Sequence, residues 1–282
     1  MGEQVVPTRP PVGTIFKRRV SPGPMLREFW VSRRMLVTLT ERELRARYKQ
    51  AGLGFGWAVL TPLALMFVFT VFFDRVARVD TGDIPYPLFA YVGLLPWTFF
   101  SQSLSLGGPS LHYSSDLLNK VYCPREMFPL AGVGVAGIQA LFAVPALGVL
   151  FALNSWTLSD TVVWVPVLLA VQIAFTAGVT MALAVTIVYI RDVLHTLPVV
   201  LQLGLFATPV AYGVESVPDR FTHLWTVINP LVGIIDGYRR SVLAGEAPAG
   251  DLLVLSAAAS AVWLVGGFLL LKKLEPGIAD VA

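Results

Sequence analysis

The ionisable and nucleophilic residues of this sequence show none of the spacings that a nucleotide-binding loop, a zinc site or a Ser/His/Asp constellation requires. A nucleotide-binding loop ends in Gly-Lys-Ser/Thr, because backbone N–H groups and the lysine together hold the phosphates. None of the five lysines follows a glycine; they are Lys17, Lys49, Lys120, Lys272 and Lys273. We therefore exclude a P-loop ATPase, and any ATP-driven work by this chain requires a separate subunit.

Metal and thiol chemistry have equally little support. Zinc sites need several Cys or His ligands at short spacing. Cys123 is the only cysteine, and His112, His195 and His223 lie far apart in the chain. We expect no metal and no cofactor on this chain, and structural or interfacial roles for the histidines.

The composition places these residues in a membrane. Of 282 residues 55% are hydrophobic and 14% charged, whereas a soluble domain has about 25% charged residues. Charge also concentrates at one end, since 15 of the 39 Lys, Arg, Asp and Glu residues lie in the first 50 positions. The chain is therefore predicted to be a polar amino-terminal segment followed by a membrane domain.

Windows without charged residues predict the spanning helices. A helix needs about 20 apolar residues to cross about 30 Å of hydrocarbon. The window at 127–159 is expected to hold one helix, because two would need about 40 residues and a turn. The predicted class is an all-α integral membrane protein with six transmembrane helices. The six windows are 51–73, 84–111, 127–159, 161–190, 193–214 and 252–271.

The distribution of basic residues predicts the orientation. With six spans both termini share a side, and that side carries 16 of the 21 Lys and Arg residues. Cytoplasmic loops are enriched in these residues. The first 50 residues contain no apolar stretch of signal-peptide length. Both termini are therefore predicted to be cytoplasmic.

Two segments suit neither water nor a complete span. Residues 25–50 interleave apolar and basic residues at helical spacing, which predicts an amphipathic helix on an anionic membrane surface or a soluble helix packed on a partner. Residues 221–235 are apolar but too short to cross, which favours a re-entrant or interfacial helical hairpin over a folded external loop. The predicted organisation is a mobile segment at 1–24, the interface helix at 25–50, the membrane domain at 51–272 and a cytoplasmic tail at 273–282.

Five short stretches occur in a characteristic order relative to these spans. They are Arg45 to Gln50 with Leu53-Gly54, Trp57 and Pro62; Tyr91 to Leu94 with Trp97 and Phe100; Asn119 to Arg125; Arg191-Asp192 with Thr208 to Tyr212; and Asn229-Pro230-Leu231 with Tyr238-Arg239. Together they resemble the permease subunit of ABC exporters that carry cell-surface polysaccharides, the O-antigen and teichoic acid exporter family. The similarity covers about Arg42 to Gly245.

This resemblance implies an assembly. The chain would form a homodimeric pore in the bacterial inner membrane with two copies of an ABC ATPase subunit, which would bind ATP and Mg²⁺. The cargo would be a lipid-linked polysaccharide, and membrane lipids would surround the pore. No nucleic-acid partner is expected. It further implies a short ATPase-contacting helix between spans two and three, and short external helices before span six.

Candidate coupling residues lie in the loop after span two and at the end of the surface helix. Pro124 fixes the local backbone, and the nearby cations could pair with acidic groups on an ATPase; a simple connector is the alternative. The coupling candidates are Asn119, Lys120, Tyr122, Pro124, Arg125, Arg45, Arg47 and Tyr48.

Aromatic residues are the candidates for contact with a glycan. The C–H faces of sugars stack on aromatic rings, so a conduit can be lined without fixed charge; the same rings could instead face lipid. The conduit candidates are Phe67, Tyr91, Trp97, Phe100, Phe206 and Tyr212, and the external gate candidates are Asn229, Pro230, Tyr238 and Arg239.

Two other functions fit the sequence less well. One keeps the transporter but changes the cargo to a drug or hydrophobic small molecule. The other is a membrane enzyme or scaffold that does not transport. Its mark would be an acidic cluster such as Asp74, Asp80 and Asp83, although the arginines interspersed there favour a solvated turn.

Overall fold

The structure, a computed structural model, is a bundle of helices. It describes residues 22–49, 52–76, 81–114 and 123–281. Side chains are described from residue 33 onwards, except at 74–76, 219 and 279–281. Helices and turns make up the regular structure of these parts. The described helices are α1 (Pro22–Tyr48), α2 (Gly56–Phe69), α3 (Tyr86–Gly107), α4 (Ser110–Tyr113), α5 (Met127–Leu153), α6 (Val165–Tyr189), α7 (Asp192–Ala207), α8 (Asp219–Ile228), α9 (Leu231–Arg239) and α10 (Gly250–Val281).

Four of these helices are long and apolar enough to cross a membrane: α2 with the π-helical turn Thr70–Val76, α5, α6 with the 3₁₀ turn Asp160–Trp164, and α10. Helix α3 has 22 residues, but polar side chains near its end lower its hydropathy. Helix α7 has 16 residues, about 24 Å. The window at 127–159 holds one continuous helix, as predicted. The six-span arrangement stays a prediction.

Close helix packing in the bundle depends on glycines. Where α6 crosses α10, a Cβ on Gly267 would collide with the carbonyl of Gly178. Where α3 crosses α5, a Cβ on Gly132 would collide with the backbone of Gly107. Helices in membranes approach closely at small residues, because lipid provides little hydrophobic drive for their association. The dispersion contacts between the helices at these crossings therefore require glycine, which has no side chain.

Helix α1 packs along α5 at one end of the bundle. Leu39 and Thr40 are its buried residues among those with described side chains, and Gly134 of α5 leaves room for the Thr40 side chain. This helix corresponds to the predicted interface helix at 25–50. Residues 1–21 of the predicted mobile segment lie outside the described part of the chain. Helix α10 continues to Val281, so the predicted tail at 273–282 is helical up to that residue.

The opposite end holds α8 and α9. They are separated by Asn229 and Pro230, which is the helix, break and helix shape expected of a hairpin. A second π-helical turn, Arg240–Ala244, follows α9 and ends at Gly245 with φ of 71°, a conformation that favours glycine. The chain then enters α10.

Candidate functional site

Arg239, at the end of α9, is the centre of a buried hydrogen-bond cluster. Its side chain is only 6% exposed. The guanidinium donates to four backbone carbonyls, those of Phe89 at 3.3 Å, Pro209 at 2.8 Å, Val210 at 2.6 Å and Tyr212 at 2.9 Å. Its carbon also lies 3.5 Å from the centre of the Phe89 ring. One side chain thus connects α9, the start of α3 and the segment after α7.

Gly93 makes space for this guanidinium. A Cβ at position 93 would lie 2.6 Å from Nη2 of Arg239 and 3.0 Å from the carbonyl oxygen of Val210. Burial lowers the pKa of Arg239 to about 9, so the group remains charged at neutral pH. Burial likewise raises the pKa of the nearby Asp236 carboxyl, while Arg240, paired with it at 3.0 Å, opposes that shift.

Other side chains hold the same segment after α7. The Tyr86 hydroxyl donates to the carbonyl of Ala211 at 2.8 Å, and the Asn229 amide donates to the Thr208 hydroxyl at 2.8 Å. The Trp225 indole donates to the carbonyl of Ala207 at 3.2 Å. The stretches at 208–212 and 229–239, separate in sequence, therefore form one cluster at the hairpin end. Tyr86 and Trp225 were not predicted, since a lone aromatic residue in a sequence does not indicate such a contact.

Tyr238 and Pro230 connect the hairpin to the bundle. The Tyr238 hydroxyl donates to Gln172 Oε1 at 3.1 Å, and Gln172 Nε2 donates to the carbonyl of Pro96 at 2.9 Å. The carbonyl of Pro230 accepts a hydrogen bond from Ser256 at 3.1 Å. The four gate candidates thus lie in one region, where their contacts join α9 to α3, α6 and α10. A shift of any of these helices would therefore displace groups that hydrogen-bond to the hairpin.

The coupling candidates in the loop after span two divide into two groups. Asn119, Lys120 and Tyr122 lie outside the described residues. Pro124 begins the turn that enters α5, with its carbonyl accepting from Met127 N at 3.0 Å. Arg125 donates to the backbone carbonyl of Glu275 in α10, so its guanidinium is engaged within the chain.

A buried ion pair strengthens this contact between the loop and α10. Lys272 lies 2.6 Å from Glu126 and 3.2 Å from Glu275. The Lys272 and Glu126 side chains are only 7% and 5% exposed. A charged pair removed from water is stable only when both members are present. The pair was not predicted, because its members are 146 positions apart in sequence.

The candidates at the end of α1 have different exposures. Arg45 and Arg47 are exposed, and Arg45 lies 3.5 Å from Glu41. The Tyr48 hydroxyl accepts a hydrogen bond from Gln139 of α5 at 2.8 Å. Arg45 and Arg47 are therefore accessible on one chain, whereas Tyr48 attaches α1 to the bundle.

The conduit candidates do not lie on one surface. Tyr91 is fully buried and donates to the carbonyl of Ala143 at 2.9 Å. Trp97 and Phe100 are also buried, and Phe100 stacks on Phe175 at 5.2 Å. The structure therefore gives these three rings packing roles within the chain, because their surfaces are already covered by neighbouring helices.

The remaining conduit candidates are accessible. Phe67 is 67% exposed and Phe206 is 52% exposed, and Tyr212 is half-buried with its hydroxyl donating to the carbonyls of Phe206 and Ala207. These rings lie on α2, on α7 and just after α7. An occupant that contacts this chain from outside could reach Phe67 and Phe206.

The protein is a multi-pass helical membrane protein, with the α8–α9 hairpin held by hydrogen bonds at one end and exposed charged residues at the other. Within its described residues, no group of three or more His, Cys, Asp or Glu is arranged to hold a metal ion. Comparison with known proteins identifies its family. The model of the ABC-2 type transporter family matches residues 34–243. The chain belongs to this family, and it is therefore a transporter subunit rather than an enzyme.

Similar proteins include three from polysaccharide systems. An O-antigen export system permease protein of Myxococcus xanthus is 34% identical over 85% of this chain and 92% of its own length. One from Klebsiella pneumoniae is 29% identical over 75% of this chain and 81% of its own length. A polysialic acid transport protein of Escherichia coli is 22% identical over 88% of this chain and 96% of its own length.

Proposed function

We propose that this chain is the transmembrane permease of an ATP-driven exporter that moves a lipid-linked cell-surface polysaccharide from the cytoplasmic to the outer face of the bacterial inner membrane. The observation that carries the proposal is the 34% identity to an O-antigen export permease along nearly the whole of both chains. A match over 242 of the 282 residues must include the hairpin and the loop after α3, not the spanning helices alone.

The working exporter would contain two copies of this chain and two copies of an ABC ATPase. ATP and Mg²⁺ would bind to the ATPase, since no lysine here occurs in a phosphate-binding loop. Exposed apolar side chains on α2 and α7 would need to be covered by a second copy or by lipid; among them are Phe67, Val68, Val200 and Leu203. The exposed Arg45 and Arg47 support an ATPase contact near the end of α1.

The proposed topology has six spans and cytoplasmic termini. Helices α3 and α7 would be the second and fifth spans, beside the four that are long and apolar enough. Helix α1 would lie at the cytoplasmic interface, and α8 with α9 would form the outer hairpin. The excess of Lys and Arg on the terminal side supports this orientation.

The exposed rings support a part in the conduit for two of the aromatic candidates. Phe67 and Phe206 lie on helices whose faces are uncovered in one chain, where a dimer could enclose a glycan path between them. Tyr212 would lie at the outer end of that path, beside the hairpin. The hairpin would be the gate, with Asn229, Pro230, Tyr238 and Arg239 holding its position.

Depletion in the native cell tests this function. We expect lipid-linked glycan to accumulate on the cytoplasmic face of the inner membrane and the surface polymer to be lost, because synthesis would continue without export. The measurement is the quantity of lipid-linked glycan accessible on each face. Unchanged glycan on both faces would refute the proposal and favour export of a hydrophobic small molecule.

A further inference from the structure

A cavity of about 260 Å³ lies between α1, α2, α3 and α5 and is not explained by the proposed gate or conduit. Among the described residues, Arg47 is the one charged residue that lines it, and no described carboxylate does. Arg47 forms no ion pair with any carboxylate in the described part of the chain. An unpaired guanidinium beside a cavity favours an anionic occupant, and its planar fork suits phosphate.

Two neutral polar groups share the cavity with Arg47. The Tyr48 hydroxyl accepts a hydrogen bond from Gln139, so its own proton remains available for donation. Gln102 is half-buried in the cavity wall, and its side-chain amide has no hydrogen bond to any described residue. Arg47, Tyr48 and Gln102 thus offer unused donors to one space.

Away from Arg47 the lining residues are mostly apolar; the hydroxyls of Thr61 and Thr98 are among them, and that of Thr61 donates to the carbonyl of Trp57. Gln102 lies near the end of α3, whereas Leu95 is two turns earlier on the same helix. On the neighbouring α5, Gln139 is followed deeper in the cavity by Ala140 and Ala143. A cavity with donors at one end and apolar walls at the other matches an amphiphile rather than a free anion. Basic pockets between membrane helices bind lipid headgroups for the same reason.

We propose that this cavity binds the phosphate group of an anionic lipid, with Arg47 as the ion-pairing cation and Tyr48 and Gln102 as hydrogen-bond donors. The apolar end receives the beginning of the hydrocarbon chain. Only the choice between a bilayer phospholipid and a lipid that carries cargo rests on the proposed function. The site itself does not, so its failure would leave the export proposal standing.

Lipid binding to the full-length chain in mild detergent tests the site. Native mass spectrometry would measure the bound fraction of dioleoylphosphatidic acid, with dioleoylglycerol as the probe that lacks phosphate. We expect Arg47→Gln to weaken phosphatidic acid binding about tenfold or more, because a charge-assisted hydrogen bond is lost. Gln102→Leu should weaken it several-fold without any change of charge. Diacylglycerol binding should not change in either variant.

Arg45→Gln is the matched control. It removes the same charge two positions away, from an exposed side chain outside the cavity, and should leave binding as in the parent. Equal losses for Arg45→Gln and Arg47→Gln, or no loss for Arg47→Gln, would overturn the proposal. A thermal unfolding scan of each variant verifies that the fold is intact.

Competition distinguishes the possible sources of the phosphate. A polyprenyl monophosphate that displaces phosphatidic acid at tenfold lower concentration supports a site for the cargo-bearing lipid. Equal competition by phosphatidylglycerol supports a site for bilayer phospholipid. Inorganic phosphate that competes as strongly as either lipid would overturn the lipid assignment, because the apolar end would then contribute nothing.

Discussion

Arg239 holds three separate parts of the chain through backbone carbonyls rather than through an acidic partner. Phe89 belongs to α3, Pro209 and Tyr212 belong to the segment after α7, and Arg239 itself ends α9. Carbonyls aligned around a buried guanidinium satisfy its charge without adding a carboxylate that would also need burial. Arg239 therefore makes more of the contacts that position the hairpin than Asn229, Trp225 or Tyr238 does.

Replacement of Arg239 should therefore release the hairpin. We expect Arg239→Gln to destabilise the protein by about 3 kcal/mol or more, because several buried carbonyls lose their donors, and to abolish export. Arg239→Lys should reduce stability and export almost as much, since one ammonium group cannot reproduce the planar arrangement of guanidinium donors. The measurements are thermal unfolding of purified protein and surface polymer in cells.

The control for this prediction is Arg220→Gln on α8. Arg220 is exposed and lies 4.6 Å over the Phe221 ring, so its loss should change stability by about 0.5 kcal/mol or less. Wild-type stability and export in Arg239→Gln would contradict the role assigned to the cluster.

The sequence predicted some members of this cluster, among them Tyr212, Asn229 and Arg239, but not its chemistry. The stretches at 208–212 and 229–239 both belonged to the family resemblance, but the first was assigned to the fifth span and the second to the external segment. Which groups would bind Arg239 was not predictable, because every residue has a carbonyl and its position depends on tertiary packing. Tyr91 shows the same limit, since an aromatic residue looks alike in a sequence whether it packs a core or lines a path.

Among the described helix crossings, that of α6 and α10 leaves the least space for an added methyl group. Gly178 and Gly267 bring the two backbones together, and a Cβ at either position meets backbone atoms. Backbone cannot move aside as a flexible side chain can. A Cβ on the adjacent Gly266 would meet no atom of another element within 4 Å, so the two neighbouring glycines have opposite environments.

Alanine at these two positions should have opposite effects. Gly267→Ala should destabilise the protein by about 1–3 kcal/mol, because the helices must separate. Gly266→Ala should stabilise it by roughly 0.5–1 kcal/mol, since alanine has less backbone freedom to lose in a helix. Thermal unfolding of both variants in one detergent would measure this. Equal effects would show that the crossing is not as close as described.

Element positions followed from apolar windows, and element ends did not. The fifth window was expected to extend over 193–214, but α7 ends at Ala207. Thr208 has an extended backbone, with φ of −85° and ψ of 140°, as is favoured for a residue that precedes proline. Pro209 therefore marked this end, and the charge-free window extended past it because the following residues form a buried segment held by Arg239.

Helices α3 and α10 each connect the two ends of the bundle. Helix α10 contacts the hairpin through Ser256 and the loop before α5 through Lys272 and Glu275. Helix α3 contributes Phe89 to the Arg239 cluster and Gln102 to the cavity beside α1. In the proposed exporter, α3 and α10 would be the route by which movement imposed by an ATPase at one end reaches the hairpin.

Transport by purified components tests the central claim most directly. The chain and its ATPase would be reconstituted into liposomes that contain lipid-linked glycan, with glycan on the outer face detected by a membrane-impermeant lectin. We expect added ATP and Mg²⁺ to move glycan from that face into the lumen, only when both subunits are present and far less with Arg239→Gln. An unchanged glycan distribution, with ATP-driven uptake of a hydrophobic dye instead, would contradict the account.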